Sequence, residues 1–212
     1  RKDNCQNGPE VDSLKAVLFD MDGVLFDSMP NHVYAWRGAA ERFGLHMTSQ
    51  EVYMNEGRTG SGTVDTLAMR TWGRKATEAE MEEIYRVKSE LFNTCPEASP
   101  MPYAREVLQA VRDRGLRIVL VTGSGQRSLL DRLEQAFPGC FHEDYMVTAY
   151  DVVHGKPNPE PYLIGLDKAG VHASQAMVVE NAPLGVQAGH AAGIYTLALN
   201  TGTLPDDVLW ES

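Results

Sequence analysis

The sequence predicts an α/β fold: a doubly wound, Rossmann-like parallel sheet core with an inserted α-helical cap subdomain. Three observations predict it. Ala16-Val17-Leu18-Phe19 is a continuous apolar run that stops abruptly at Asp20, as expected of a strand buried on both faces of a parallel sheet. From Tyr103 onward, short apolar runs ending in polar residues alternate with helical spacing. Between Met29 and Pro102 strand signals are absent and only helical patterns occur. The expected division is 14–28 and 101–212 for the core and 29–100 for the cap, with 1–13 a polar terminus without function.

Taken in order, the first strand leads to a helix marked by Val33, Trp36, Ala40 and Phe43 and stopped at Gly44. Two more helices are expected near Thr63–Trp72 and Thr77–Phe92, the latter opened by a Thr77-x-x-Glu80 capping box. Pro96, Pro100 and Pro102 mark a linker. A helix over Ala104–Arg114 stops at Gly115. Strands follow at Ile118–Val121, Tyr145–Val147, Met177–Val179 and Tyr195–Ala198, with helices between them.

Composition narrows the function. With 43% hydrophobic residues, 212 residues can bury a sizeable core. Lys plus Arg number 19 against 29 Asp plus Glu, a net charge of −10 that argues against nucleic acid or an anionic membrane as partner. An anionic substrate would then need a local positive pocket or a metal. Cys5, Cys95 and Cys140 form no C-x-x-C, which suits free thiols in a reducing compartment. No apolar run approaches membrane length and no signal peptide is visible, so the expectation is a cytoplasmic monomer acting on a small molecule.

The chemistry gathers at the strand ends. Asp20 and Asp22, two apart on an extended segment, project to one side, and Gly23 lets the chain turn. Such a pair can supply a nucleophile and a general acid and base, and can hold a hard cation such as Mg²⁺. A D-x-D-G also occurs in plain surface turns; the clean strand before it favours a site. Thr122-Gly123-Ser124-Gly125-Gln126-Arg127 follows the second strand and leads into a helix, offering small residues, hydroxyls and backbone amides to an anion. Gly155-Lys156-Pro157-Asn158-Pro159 presents a lysine on a stiff turn, with a helix expected from about Pro159. Glu180-Asn181 ends the fourth strand, where Asn181 could also cap the next helix.

These four stretches, in this order, resemble the four motifs of the haloacid dehalogenase-like superfamily. The helical insert directly after the first strand is similar to the cap of its β-phosphoglucomutase-like subgroup. The resemblance implies Mg²⁺-dependent phosphoryl transfer by double displacement. Asp20 would attack phosphorus, Asp22 would protonate the leaving group and then activate water, and Thr122 and Lys156 would bind the transferring group. Ser124 and the turn through Arg127 would hold more of the substrate. Mg²⁺ would be held by Asp20, the Asp22 backbone carbonyl and Asn181. Asp is usual where Asn181 stands, so the shell lacks one charge. For Glu180, direct coordination and an indirect role both stay open.

The cap bears on the substrate. In the mutases a G-x-S-R loop grips a distal phosphate through its Arg; here Gly60 stands in its place, Glu56 stands for a mutase Lys, and Arg58 lies between them. His32 and Lys88 match mutase cap-side positions. A carboxylate at Glu56 would repel a second sugar phosphate and attract the metal. With Asn181, Lys88 and T-G-S-G-Q-R, this resembles an inorganic pyrophosphatase branch of the subgroup, implying pyrophosphate as substrate. The alternatives are a β-phosphoglucomutase or small phosphosugar phosphatase and, outside enzymes, a receiver-type switch phosphorylated on Asp.

Overall fold

The computed structural model describes residues 13–212. The expectations for 1–12, Cys5 included, lie outside the described residues.

β1 (Ala16–Phe19) is the middle strand of a parallel five-stranded sheet completed by β2 (Arg117–Val121), β3 (Met146–Val147), β4 (Ala176–Glu180) and β5 (Tyr195–Ala198). The order is β3-β2-β1-β4-β5. In register, Phe19 pairs with Leu120 on one side and Val179 on the other. The three chemistry-bearing strands therefore end level with one another, where the strand order reverses and open α/β sheets bind ligands.

Both faces of β1 are buried. Val17 and Phe19 pack with Leu108 and Val111 of α5 (Ala104–Asp113), and with Leu129, Leu133 and Ala136 of the short helices α6 (Arg127–Leu130) and α7 (Leu133–Ala136). Ala16 and Leu18 face Tyr162 and Leu166 of α8 (Glu160–Ala169) and Ala188 of α9 (Pro183–Ala191). This two-sided burial is why the strand reads as unbroken apolar sequence. A last helix, α10 (Asp206–Trp210), follows the edge strand β5.

The insert after β1 is α1 (Met29–Arg42), α2 (Ser49–Met54), α3 (Gly60–Trp72) and α4 (Glu78–Thr94). Met29, Trp36, Leu45, Val52, Val64, Leu67 and Ile84 give it an apolar cluster of its own. Thr77 and Glu80 form the expected box, Thr77 Oγ1 accepting from Glu80 N (3.2 Å) and Glu80 Oε2 from Thr77 N (2.8 Å). The two connections to the core run side by side: Asp27 N donates to Ser99 O and Met101 N to Leu25 O, each at 2.8 Å.

Three local expectations are corrected. α2 carries no periodic apolar face, because Val52 is its one buried residue, and it was not expected. The helix after the Thr122 turn spans only four residues, so its N-terminus supplies little dipole. Asn181 does not cap α9: Ala182 holds that position with no side-chain bond, and the Asn181 amide turns instead toward the cap. Among the described residues, no helix is long and apolar enough to cross a membrane.

Candidate active site

Asp20 follows β1 directly, its N–H donating to Val179 O of the neighbouring strand at 3.1 Å. Lys156, 136 residues away in the chain, donates from Nζ to Asp20 Oδ1 at 2.8 Å, to Glu180 Oε1 at 2.6 Å and to Val121 O at 3.0 Å. One ammonium thus ties together the ends of β1, β2 and β4. Burial alone would lower its pKa; Asp20 and Glu180 outweigh burial and raise it, so Lys156 stays charged. Glu180 is further committed: Tyr162 Oη donates to its Oε1 at 2.5 Å and Asn181 N to its Oε2 at 3.2 Å.

Asp22 lies across the cavity and is held differently. Ser28 Oγ donates to its Oδ1 at 2.5 Å and His32 Nε2 lies 2.8 Å from the same oxygen. Burial pushes Asp22 up, but His32, Ser28 and the charge of Lys88 together hold it below the usual carboxylate range. Burial pulls the His32 pKa down against the opposing charge of Asp22, and with Asp22 ionised the Nε2–H is the donor of the pair. The His32 ring also stacks on Phe92, 4.6 Å between centroids.

Lys88 is 2% exposed and roofs the cavity from α4. Its ammonium lies 5.1–5.5 Å from the ring centres of Trp36, Tyr85 and Phe92 and donates to Gln126 Oε1 at 3.2 Å. Burial lowers its pKa to about 8. Glu56, also buried, accepts from Asn181 Nδ2 at 3.0 Å. Burial, then the charge of Asp20, raises Glu56 well above the ordinary range.

The sequence-predicted residues divide accordingly. Asp20, Asp22, His32, Glu56, Lys88, Thr122, Gly123 and Ser124 line one cavity of about 50 Å³ between core and cap, with Lys156, Glu180 and Asn181 buried directly beneath or beside them. The rest of the Thr122 turn is less open to a ligand than expected. Thr122 Oγ1 accepts from Ser124 N (3.0 Å) and Ser124 Oγ from Gln126 N (3.1 Å), so two amides are spent inside the turn. The Gly125 carbonyl accepts from the Tyr150 hydroxyl at 3.0 Å. Gln126 faces α4, bonding Lys88 and Asn93. Arg127 is exposed and lies over the Tyr150 ring at 5.1 Å, away from the cavity. Ser28 and Tyr162 were not anticipated: one reads as a helix-start serine and the other as a core aromatic until the strands bring their partners close.

The residues fit a divalent cation. Asn181 Oδ1 is buried and has no hydrogen-bond partner, an acceptor left for something else to satisfy. Burial, with the Glu180 charge next, raises Asp20 to about 7, so as a bare carboxylate it is only partly ionised near neutrality. Four buried carboxylates (Asp20, Asp22, Glu56, Glu180) face two buried ammonium groups, Lys88 and Lys156. A doubly charged ion balances that set. Among the described residues, no three His, Cys, Asp or Glu side chains are arranged to hold a metal by themselves. The shell the motifs imply needs none, since an amide and a main-chain carbonyl complete it.

Known proteins bear on this geometry. The family model described as haloacid dehalogenase-like hydrolase matches residues 14–193. A phosphorylated carbohydrates phosphatase of Thermotoga maritima is 33% identical over 187 residues, covering 85% of this chain and 82% of that protein. Hexitol phosphatase A of Escherichia coli is 30% identical over 187 residues, covering 88% and 83%. A solved structure described as a "putative beta-phosphoglucomutase" from Bacteroides vulgatus superposes with a TM-score of 0.91 at 55% identity, covering 97% of this chain and 82% of that one. These names back the phosphosugar alternative better than pyrophosphate, and the family match sets the receiver-type alternative aside. With all four motif stretches inside the matched region, the chain belongs to the haloacid dehalogenase-like hydrolases, and its likeness within them runs to the β-phosphoglucomutase-like members.

Proposed function

We propose that this chain is a Mg²⁺-dependent phosphohydrolase working through an aspartyl phosphate on Asp20, with residues 29–100 as a cap that closes on the core 14–28 and 101–212. Asp20 attacks phosphorus in line, forming the P–O bond as the bond to the leaving group breaks. Asp22, steadied by Ser28 and His32, then takes a proton from the water that releases phosphate. Lys156 holds Asp20 in place and offsets its repulsion from the incoming oxygens. Asp20, the Asp22 carbonyl and Asn181 would hold Mg²⁺, with Glu56 reaching it on closure; when bound, the ion would neutralise charge on the transferring group.

For the substrate, the geometry favours inorganic pyrophosphate. The observation that carries this is Glu56, a cap carboxylate buried in the cavity against Asn181, which would repel a second phosphate on a sugar. Two features agree. The cavity between core and cap is small, about 50 Å³. Asp22 is held in its ionised form, which suits a leaving group that departs as a stable phosphate anion better than a sugar alkoxide needing a proton. The second reading is a phosphosugar phosphatase, supported by the names of the relatives. At such identities substrate often differs on a shared fold.

A side-by-side steady-state screen of pyrophosphate, sugar phosphates and nucleotides with Mg²⁺ decides between them, run on the wild type, Glu56→Ala and Glu56→Gln. The pyrophosphate reading expects pyrophosphate to lead, and both variants to lose turnover on it and to need more Mg²⁺. A sugar phosphate leading by kcat/KM, with both variants unimpaired on pyrophosphate, establishes the second reading instead.

A further inference from the structure

The cap loop 55–59, between α2 and α3, meets the core main chain to main chain. A Cβ on Gly123 would stand 2.1 Å from Gly57 O, 2.6 Å from its carbonyl carbon and 3.2 Å from Arg58 O. A Cβ on Gly155 would stand 2.9 Å from both Thr59 N and Thr59 Cγ2. From the cap side, a Cβ on Gly57 would meet Lys156 Cδ at 2.8 Å. At Gly123 every clashing atom is backbone, so no rotamer change relieves it and the loop itself must retreat by about 1 Å. The residue before Gly57 is Glu56, whose bond to Asn181 spans the same cavity beside the unpartnered Asn181 Oδ1.

We propose that Gly123 is a specificity-determining residue. Its bare backbone lets the cap loop seat fully, and the depth of that seat sets how compact a leaving group must be for closure to be complete. Fully seated, the loop brings Glu56 to Asn181 and shuts the cavity. Propped up by a side chain at 123, it withdraws Glu56 and leaves room above the reacting phosphoryl group. Compact substrates lose most, because they alone gain from complete closure. Gly155 supports the same loop two residues further on. The φ of Gly123 lies outside the left-handed region, so the core itself accommodates alanine there.

The inference rests on the phosphohydrolase reading but not on which phosphate compound is natural. Its test is the ratio of kcat/KM for pyrophosphate to that for the bulkier p-nitrophenyl phosphate, in wild type, Gly123→Ala and Gly155→Ala, each checked for an intact thermal transition. Both variants lower turnover, and the ratio falls on the order of tenfold or more, since about 1 Å of misplacement is costly only where closure assembles the site. Equal losses on both substrates overturn the inference. If Gly123→Ala does not fold, Gly155→Ala carries the test. If the wild type turns over no phosphate compound, the functional reading fails separately. The seat is then judged by a crystal structure of Gly123→Ala: a displaced loop and a broken Glu56–Asn181 bond support it, and an unmoved loop refutes it.

Discussion

Lys88→Met should stabilise the protein while impairing it. Lys88 is 2% exposed, ringed by Trp36, Tyr85 and Phe92, with Gln126 Oε1 as its hydrogen-bond acceptor. Burial lowers its pKa from 10.5 to about 8. Holding that proton in the folded state at pH 7 therefore costs about 3 kcal/mol relative to the unfolded chain. Methionine keeps the apolar stem and removes the charge, and the Gln126 oxygen left without its donor returns about 1 kcal/mol of cost. The net gain is about 2 kcal/mol, or about 4–8 °C in thermal midpoint for a chain of this size. The sign with pH is fixed. The folded pKa lies below the unfolded one, so the wild-type penalty is full below pH 8, shrinks as pH rises toward 10.5 and is absent above it. Urea denaturation of both proteins at pH 7 and pH 10 reads this directly, and a substrate assay should show the loss of kcat that retaining such a costly charge implies. A variant less stable than wild type at pH 7, or a stability difference that does not change with pH, would show that the buried Lys88 charge carries no such cost.

Asp20→Asn should abolish turnover and yet, in excess chelator at pH 8, unfold at higher urea than wild type. Burial raises Asp20 from 3.8 to about 7, so its ionisation weakens the metal-free fold as pH rises through that interval, and the advantage of Asn should vanish below pH 4. Tyr162→Phe removes the hydroxyl that bonds Glu180 and should lower kcat about tenfold with little change in KM, because Lys156 is then less well placed against Asp20; a rise in KM alone would contradict that. Chelation should stop turnover and Mg²⁺ restore it, with Ca²⁺ binding but inhibiting through its larger, looser shell; full activity in excess chelator would defeat the metal assignment.

Much of this site is legible in the chain because its residues sit where strands stop. An unbroken run such as 16–19 announces a two-sided strand, and the polar residue after it is then at the ligand-binding edge whatever the rest of the fold does. Asp20, Thr122 and Glu180 are legible that way, and Lys156 by the stiff Gly-Lys-Pro turn that carries it. The contacts that depend on three-dimensional closeness were not. Tyr162 has the spacing of a core aromatic, and only the packing of α8 against the sheet turns its hydroxyl onto Glu180. Ser28 serves Asp22 because the chain bends back at the cap junction. Arg127 follows a phosphate-type turn in sequence, but the turn uses its own hydroxyls and the guanidinium swings out over Tyr150. Helix α2 lacks a periodic face, although Thr48-x-x-Glu51 is a capping box as readable as that at Thr77. Asn181 satisfies the pattern for a helix cap, but α9 starts one residue later with Ala182 in the cap position, and the Asn181 amide donates to Glu56 instead.

The central claim is that Asp20 takes the phosphoryl group. A rapid-quench experiment with substrate labelled in the transferring phosphate, followed by peptide mapping, tests it most directly. A transient, hydroxylamine-sensitive label is expected on the peptide containing Asp20, formed no more slowly than phosphate is released and absent in Asp20→Asn. Turnover with no such label, together with substantial activity in Asp20→Asn, would contradict it.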